Sequence, residues 1–243
     1  MKYLLTIAFD GSKYCGYQKQ NNGISVQQVL TQAASELFNN CRITGCSRTD
    51  SGVHALGFKA TLECDMTEIP EDKVAVAMNC HLPEDISVLS SVSVSDDFHP
   101  RYSVKSKEYR YVIYTGTVRD PFLSGRAYHY PKNLDVDKMN EAASYLVGEH
   151  DFASFMASGS KIVDTVRQIY SCNVMSENNT VTVCVKGNGF LYNMVRIIVG
   201  TLISVSEGKL LPSDMPRIID GKNRKNAGVT APAHGLYLYN VEY

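Results

Sequence analysis

No stretch of this 243-residue chain approaches the roughly 18 uninterrupted apolar residues that a membrane span requires. The nearest, Phe190 to Val205, is broken by Asn193 and Arg196. The run Met1 to Phe9 lacks a small-x-small cleavage site and leads directly into Asp10 and Lys13, so it reads as a first strand and not as a signal peptide. The seven cysteines are odd in number and contain no CxxC pair, which argues against a disulfide framework and against a zinc ribbon. Free thiols in a reducing cytoplasm are the expectation. His81, His99, His129, His150 and His234 are scattered, and HExxH, Walker and GxGxxG patterns are missing. These absences imply a soluble cytoplasmic protein with no cofactor, no metal and no membrane partner.

What is present is an ordinary globular composition, 44% hydrophobic and 20% charged, sufficient for one large core or two closely packed ones. The net charge of -1 argues at first against a nucleic-acid partner, because phosphate binding needs local positive potential. The average hides segregation. Residues 1–62 carry +3, 63–97 carry -8, 98–132 carry +5, 133–185 carry -4 and 186–225 carry +4. A fold that gathers the three basic segments would have a positive groove on a neutral protein; a solvated mixed surface is the even alternative.

The patterning predicts a strand over Tyr3–Asp10, a loop through Gln20 with a turn at Asn21-Asn22-Gly23, and a helix capped by Ser25. A short strand near Arg42–Gly45, a strand over Gly57–Cys64, a helix started by Pro70 and a strand over Ile86–Val94 follow. Charge changes sign at Asp96-Asp97, which divides the chain into an N-terminal half, 1–96, and a C-terminal half, 97–243. In the second half the expectations are a long strand over Tyr102–Thr115, a helix over Asp135–Val147, and a hairpin of Thr165–Met175 with Thr180–Lys186. A nearly all-apolar helix over Phe190–Val205, ending at Gly208, and a last strand over Leu236–Tyr243 complete it. Along the long strand, Lys105, Lys107, Tyr109, Tyr111 and Ile113 share one face, a mixture of cations and rings suited to phosphates and a base, although strands commonly carry half-buried tyrosines.

Two features carry chemistry. Cys46 to Ala55 sets Asp50 two residues after Arg48 among small, turn-forming residues, able to hold a carboxylate at a cleft; a surface turn with a weak Arg48/Asp50 pair is the plainer reading. Arg196 lies in a helix apolar on almost every side, where a guanidinium costs several kcal/mol unless a carboxylate meets it. Asp50 is a candidate partner; Asp214, Glu207 or escape to the surface are the others.

Taken in order, IAFDGSKYCGYQ (Ile7 to Gln18), Ser25-Val26-Gln27, SRTDSGVHALG (Ser47 to Gly57) and MNCHLPEDI (Met78 to Ile86) form one series. It continues with FHPRYSVKSKEYRYVIY (Phe98 to Tyr114), GEHDFASF (Gly148 to Phe155), GNGFLYNMVRIIVGTL (Gly187 to Leu202) and APAHGLYL (Ala231 to Leu238). The whole resembles the TruA family of tRNA pseudouridine synthases over nearly the full length. The resemblance implies an α+β fold of two pseudo-symmetric ferredoxin-like halves, forming a central, mainly antiparallel sheet with flanking helices and a catalytic cleft. It implies a homodimer whose basic clefts hold tRNA, and isomerisation of uridine to pseudouridine in the anticodon arm, at positions 38 to 40, without cofactor or metal. Asp50 matches the family's catalytic aspartate, Tyr109 the tyrosine that contacts the target base, and Arg48 and Arg196 its arginines beside the aspartate. Arg110, Lys105, Lys107 and His54, in the same segments, complete the substrate-binding candidates. Ser47 and Ser51 stand where glycine and alanine are usual, and Cys15 and Tyr17 where histidine and tryptophan are. A serine at 47 is tolerable only with a negative φ there or with the strain carried by its neighbours. The rival readings are a paralogue with shifted target uridines and a non-catalytic RNA-binding or RNA-folding protein.

Overall fold

Tyr3, Leu5, Ile7 and Phe9, the odd positions of the first strand, are buried while their even neighbours are not, as the period of two along a strand requires. The computed structural model describes residues 1–21, 23–160 and 162–243; Asn22, in the turn expected near it, lies outside them. The fold is mixed α+β with mainly antiparallel sheets, and the chain divides into two compact units, Met1–Lys105 with Tyr237–Tyr243, and Ser106–Leu236.

In the first unit the strands are β1 (Lys2–Phe9), β2 (Arg42–Gly45), β3 (His54–Glu63), β4 (Ile86–Ser93) and β10 (Leu236–Glu242), with helices α1 (Val26–Ser35) and α2 (Glu71–Asn79). β1 lies between β4 and β3, antiparallel to both. The other edge of β3 is shared: β2 pairs antiparallel with its end, Ala60 to Glu63, and β10 pairs parallel with its start, His54 and Ala55. Ser25 caps α1 as its sequence predicts, its Oγ accepting the Gln28 N–H at 3.3 Å. Val26, Leu30, Ala33 and Ala34 bury one stripe of that helix, and Leu5, Ile7, Leu30, Phe58, Leu62 and Met78 form the core.

The second unit has β5 (Ser106–Tyr114), β6 (Tyr128–His129), β7 (Gly148–Asp151), β8 (Val166–Glu177) and β9 (Thr180–Gly187), with α3 (Val136–Ser144), α4 (Met194–Ser206) and α5 (Met215–Asp220). Its sheet runs β5-β9-β8-β7, all antiparallel, with β6 parallel on β5. The predicted hairpin is present, its turn using Asn178 at φ 52, a conformation asparagine tolerates. β5 starts later than its alternation suggests. Arg101 and Tyr102 give their backbone N–H groups to the His99 ring, and Ser103 donates to the His99 carbonyl, so this stretch turns instead of pairing. β7 and α5 were not foreseen, being four and six residues long.

α4 is buried at ten of its thirteen positions. It starts at Met194 and not at Phe190, because Asn193 sits in the left-handed region at φ 59 and cannot continue a helical turn. The segment after α5 lies against it: Gly228 N–H donates to Thr201 Oγ1 (2.9 Å), and a Cβ at Gly200 would fall 1.8 Å from the Val229 carbonyl oxygen. Since the obstacle is backbone, Gly200→Ala is expected to cost about 3 kcal/mol, the upper end of overpacking penalties. Urea denaturation of the variant checks this: the midpoint falls at unchanged m.

Candidate active site

The loop that carries Asp50 is built by the shared edge of β3. Where β2 ends, Cys46 N–H still donates to Lys59 O (2.8 Å), and the chain then swings out and returns at His54, the first residue of β3. Three hydrogen bonds set the excursion. Tyr17 N–H donates to Thr49 O (3.3 Å), Ser51 Oγ donates to Tyr14 O (3.1 Å), and Val53 N–H donates to Asp50 O (3.2 Å). Thr49 and Val53 are buried, Asp50 is half-buried and Arg48 is exposed, so the anchors point inward and the two charged groups stand at the rim. Arg48 enters no salt bridge among the described residues, which removes the weak Arg48/Asp50 pair of the plainer sequence reading.

The departures in this region have local explanations. Among the described residues the non-glycines with positive φ are Asn40, Asn178, Asn193 and Lys222, so Ser47 takes an ordinary backbone conformation and carries no strain. The left-handed positions fall on Gly52 (φ 77) and Gly16 (φ 95). Ser51 uses its hydroxyl as the tie to Tyr14 that an alanine would lack. Tyr17 is fully buried and stacks on Phe58, with ring centroids 4.1 Å apart, and burial pushes its phenol far above the ordinary range. Its hydroxyl and that of Thr49 have no hydrogen-bond partner among the described residues, at a cost of about 1–3 kcal/mol each.

His54 is 1% exposed and forms the floor behind the loop. Its Nδ1 accepts the Gly11 N–H (3.0 Å), and its ring stacks on Tyr237 at 4.7 Å. Asp10 Oδ1, 3.2 Å from the same nitrogen, accepts the Ser12 N–H at 3.0 Å. Lys105, also of this unit, is exposed just before β5.

The remaining candidates belong to the second unit. Tyr109 is 8% exposed on β5 and meets Phe190 edge-on, with centroids 5.1 Å apart at 84°. Tyr111 and Ile113, on the same face, are wholly buried, so much of the face read as a cation and ring surface is core. Arg110 faces the other way and pairs with Glu108 at 2.9 Å, while Lys107 is half-buried. Arg196 Nε donates to Ala231 O (2.7 Å) and Nη1 to Asn193 Oδ1 (2.7 Å), and the Ala231 N–H returns a bond to Arg196 O (3.1 Å). Pro232, the next residue, accepts from Tyr111 Oη (2.8 Å). The segment at Ala231-Pro232 thus joins the strand of Tyr109 to the helix of Arg196. Asn193 and Ala231 escaped the sequence reading, because a cap in the left-handed region and a backbone carbonyl leave no periodic signal.

Two of the alternative partners for Arg196 are engaged elsewhere. Asp214 pairs with Arg217 (3.0 Å) and accepts the Leu211 N–H (2.9 Å). Glu207 pairs with Lys132 (2.8 Å) and Lys209 (2.6 Å) and accepts from Tyr130 Oη, which holds its carboxyl down at about 2.

A family model described as tRNA pseudouridine synthase matches residues 5–103 and 142–243. This chain belongs to that family, the TruA family. Among curated relatives named tRNA pseudouridine synthase A, one from Ruminiclostridium cellulolyticum is 48% identical over 244 residues, covering 100% of this chain and 99% of the relative. One from Caldicellulosiruptor saccharolyticus is 44% identical (99% and 98%), and one from Bacillus licheniformis is 44% identical (100% and 99%). A solved structure titled "Crystal Structure of a Cbf5-Nop10-Gar1 Complex" is 12% identical at a TM-score of 0.39, covering 83% of this chain and 44% of that one, too distant to bear on the site. As a member of the TruA family the protein is an enzyme, an isomerase that turns uridine into pseudouridine.

For a TruA-family enzyme the Asp50 loop is approached closely at Gly16, where a Cβ would lie 2.4 Å from Thr49 O at a φ that side chains rarely adopt. Gly16→Ala is therefore expected to displace the residue before Asp50. An ångström of misplacement costs on the order of 100-fold in turnover. Steady-state kinetics with a melting curve check this: turnover collapses while the fold persists.

Proposed function

We propose that this enzyme isomerises uridines in the anticodon stem-loop of tRNA, at positions 38 to 40, with Asp50 as the group that attacks the ribose. The observation that supports it most is the presentation of a half-buried Asp50 on a loop anchored by the buried Thr49 and Val53, in a chain of this family. Uracil must leave C1′, turn, and rejoin through C5, so the nucleotide is flipped from its stack and the detached base kept in place. Two routes use the same ionised carboxylate: attack on C1′ with loss of the base, or removal of the C2′ proton. Each leaves the uracil free to rotate and ends with loss of the C5 proton.

The other residues take roles that their surroundings support. Arg196, its guanidinium held by Ala231 and Asn193, is the cation that the second unit offers to the reaction. Tyr109, with one edge against Phe190, stacks on the freed uracil, and its hydroxyl stands for the proton transfer at C5. Arg48, exposed beside Asp50, displaces the target base or takes its phosphate; Lys105, Lys107 and Arg110 take backbone phosphates, and His54 supports the ribose side from beneath. No described group of histidine, cysteine and carboxylate residues could hold a metal ion, and the roles above ask for none. No helix among the described residues is long and apolar enough to cross a membrane, and the seven cysteines are free thiols, which favours a reducing cytoplasm as the place of work. A homodimer, as the family resemblance implies, is the proposed working form.

A chemical map of pseudouridines in total RNA from cells lacking this protein tests the reading. The expected result is loss at positions 38 to 40 of tRNAs with other sites intact. An unchanged map, or loss only elsewhere, contradicts the target assignment.

A further inference from the structure

Tyr102 is 80% exposed, although the segment that carries it is among the most tightly tied in the first unit. His99 Nδ1 accepts the N–H groups of Arg101 (3.1 Å) and Tyr102 (3.4 Å), His99 N–H donates to Ser103 Oγ (3.3 Å), and Ser103 N–H donates to His99 O (3.0 Å). The Tyr102 ring lies on the His99 imidazole, centroids 4.3 Å apart and planes 30° from parallel. Beneath them, Pro100 is buried and its carbonyl accepts from Tyr243 Oη (2.8 Å), while Phe98 packs on the Tyr243 ring at 4.8 Å. A rigid turn thus holds one face of a large ring open to solvent.

The chemistry around the ring selects its ligand. Arg101, Ser103 and Lys105, its neighbours in the chain, are exposed and polar, so the ring is not part of an apolar patch of the kind that protein interfaces bury. An aromatic face with exposed cations at nearby chain positions suits a nucleobase and its phosphates, because every base offers a π-face and the backbone charge follows it. Pre-organisation by His99 lowers the entropic cost of stacking, since the ring is already fixed.

We propose that Tyr102, backed by His99 and flanked by Arg101 and Lys105, is an RNA-stacking platform that holds an unpaired nucleotide of the tRNA outside the catalytic pocket. The proposal rests on the reading that the substrate is tRNA. It adds a binding contact, not a catalytic group.

Binding of an unmodified tRNA transcript to the full chain, with steady-state turnover on the same transcript, tests it. Base stacking on an aromatic ring is worth about 1–3 kcal/mol, so Tyr102→Ala weakens binding roughly 5- to 150-fold and raises KM alongside, with kcat held. Tyr102→Phe, which keeps the ring, binds like the wild type. Arg101→Gln lowers the slope of log K against log salt by about one. Tyr102→Ala with an unchanged melting temperature and binding within twofold of wild type overturns the platform. So does a Tyr102→Ala protein that loses its dimer and not its RNA affinity, which would assign the ring to a second copy. A wild-type protein that forms no pseudouridine in tRNA fails the functional reading itself, a result distinct from either.

Discussion

The edge of β3 cannot be completed by one strand, and the Asp50 loop exists because of that. β2 covers one end, β10 the other, and the chain that runs from β2 back into β3 has to leave the sheet and return within eight residues. Such a short excursion would wander if its backbone were left to water. The Tyr17 N–H on Thr49 O and the Ser51 hydroxyl on Tyr14 O fasten it instead to the segment that follows β1. A glycine at position 16 is the condition for that approach. The cost is visible nearby, in the buried hydroxyls of Tyr17 and Thr49 that find no partner among the described residues. The small penalty is consistent with a loop whose geometry serves chemistry and not stability.

The second unit solves a related problem with a charge. A helix buried at ten of thirteen positions carries Arg196, and desolvating a guanidinium is expensive unless its donors are met. Two charge-assisted hydrogen bonds, to Ala231 O and to Asn193 Oδ1, contribute about 1.5–3 kcal/mol each and fix the fork in one orientation. The backbone segment that accepts from Arg196 also accepts from Tyr111, so the position of the guanidinium is tied to that of the strand bearing Tyr109. Neither side chain is free to drift without disturbing the other's support.

Much of this was legible in the sequence, for reasons that differ by element. Alternation in Tyr3 to Phe9, the serine cap before Val26 and the asparagine turn at 178 are local signals, and the structure follows them. The start of β5 was misread because a histidine ring capturing two backbone amides has no pattern in an alternating run. The start of α4 was misread because one asparagine in the left-handed region ended the turn before it. At the site, the Arg48-Thr49-Asp50 run and the lone cation Arg196 stood out by residue type alone. What fixes them did not, since the carbonyls of Thr49 and Ala231 are backbone atoms that any residue would supply. The serine at position 47 looked like a source of strain and is none, because the positive φ values fall on Gly52 and Gly16 instead.

The most direct measurement is single-turnover pseudouridine formation by Asp50→Asn beside its affinity for the same tRNA. The substitution keeps the shape of the side chain and removes only the charge and nucleophilicity, so turnover should disappear while the dissociation constant stays within a few-fold of wild type. Turnover that survives in Asp50→Asn would contradict the assignment of Asp50 as the group that attacks the ribose.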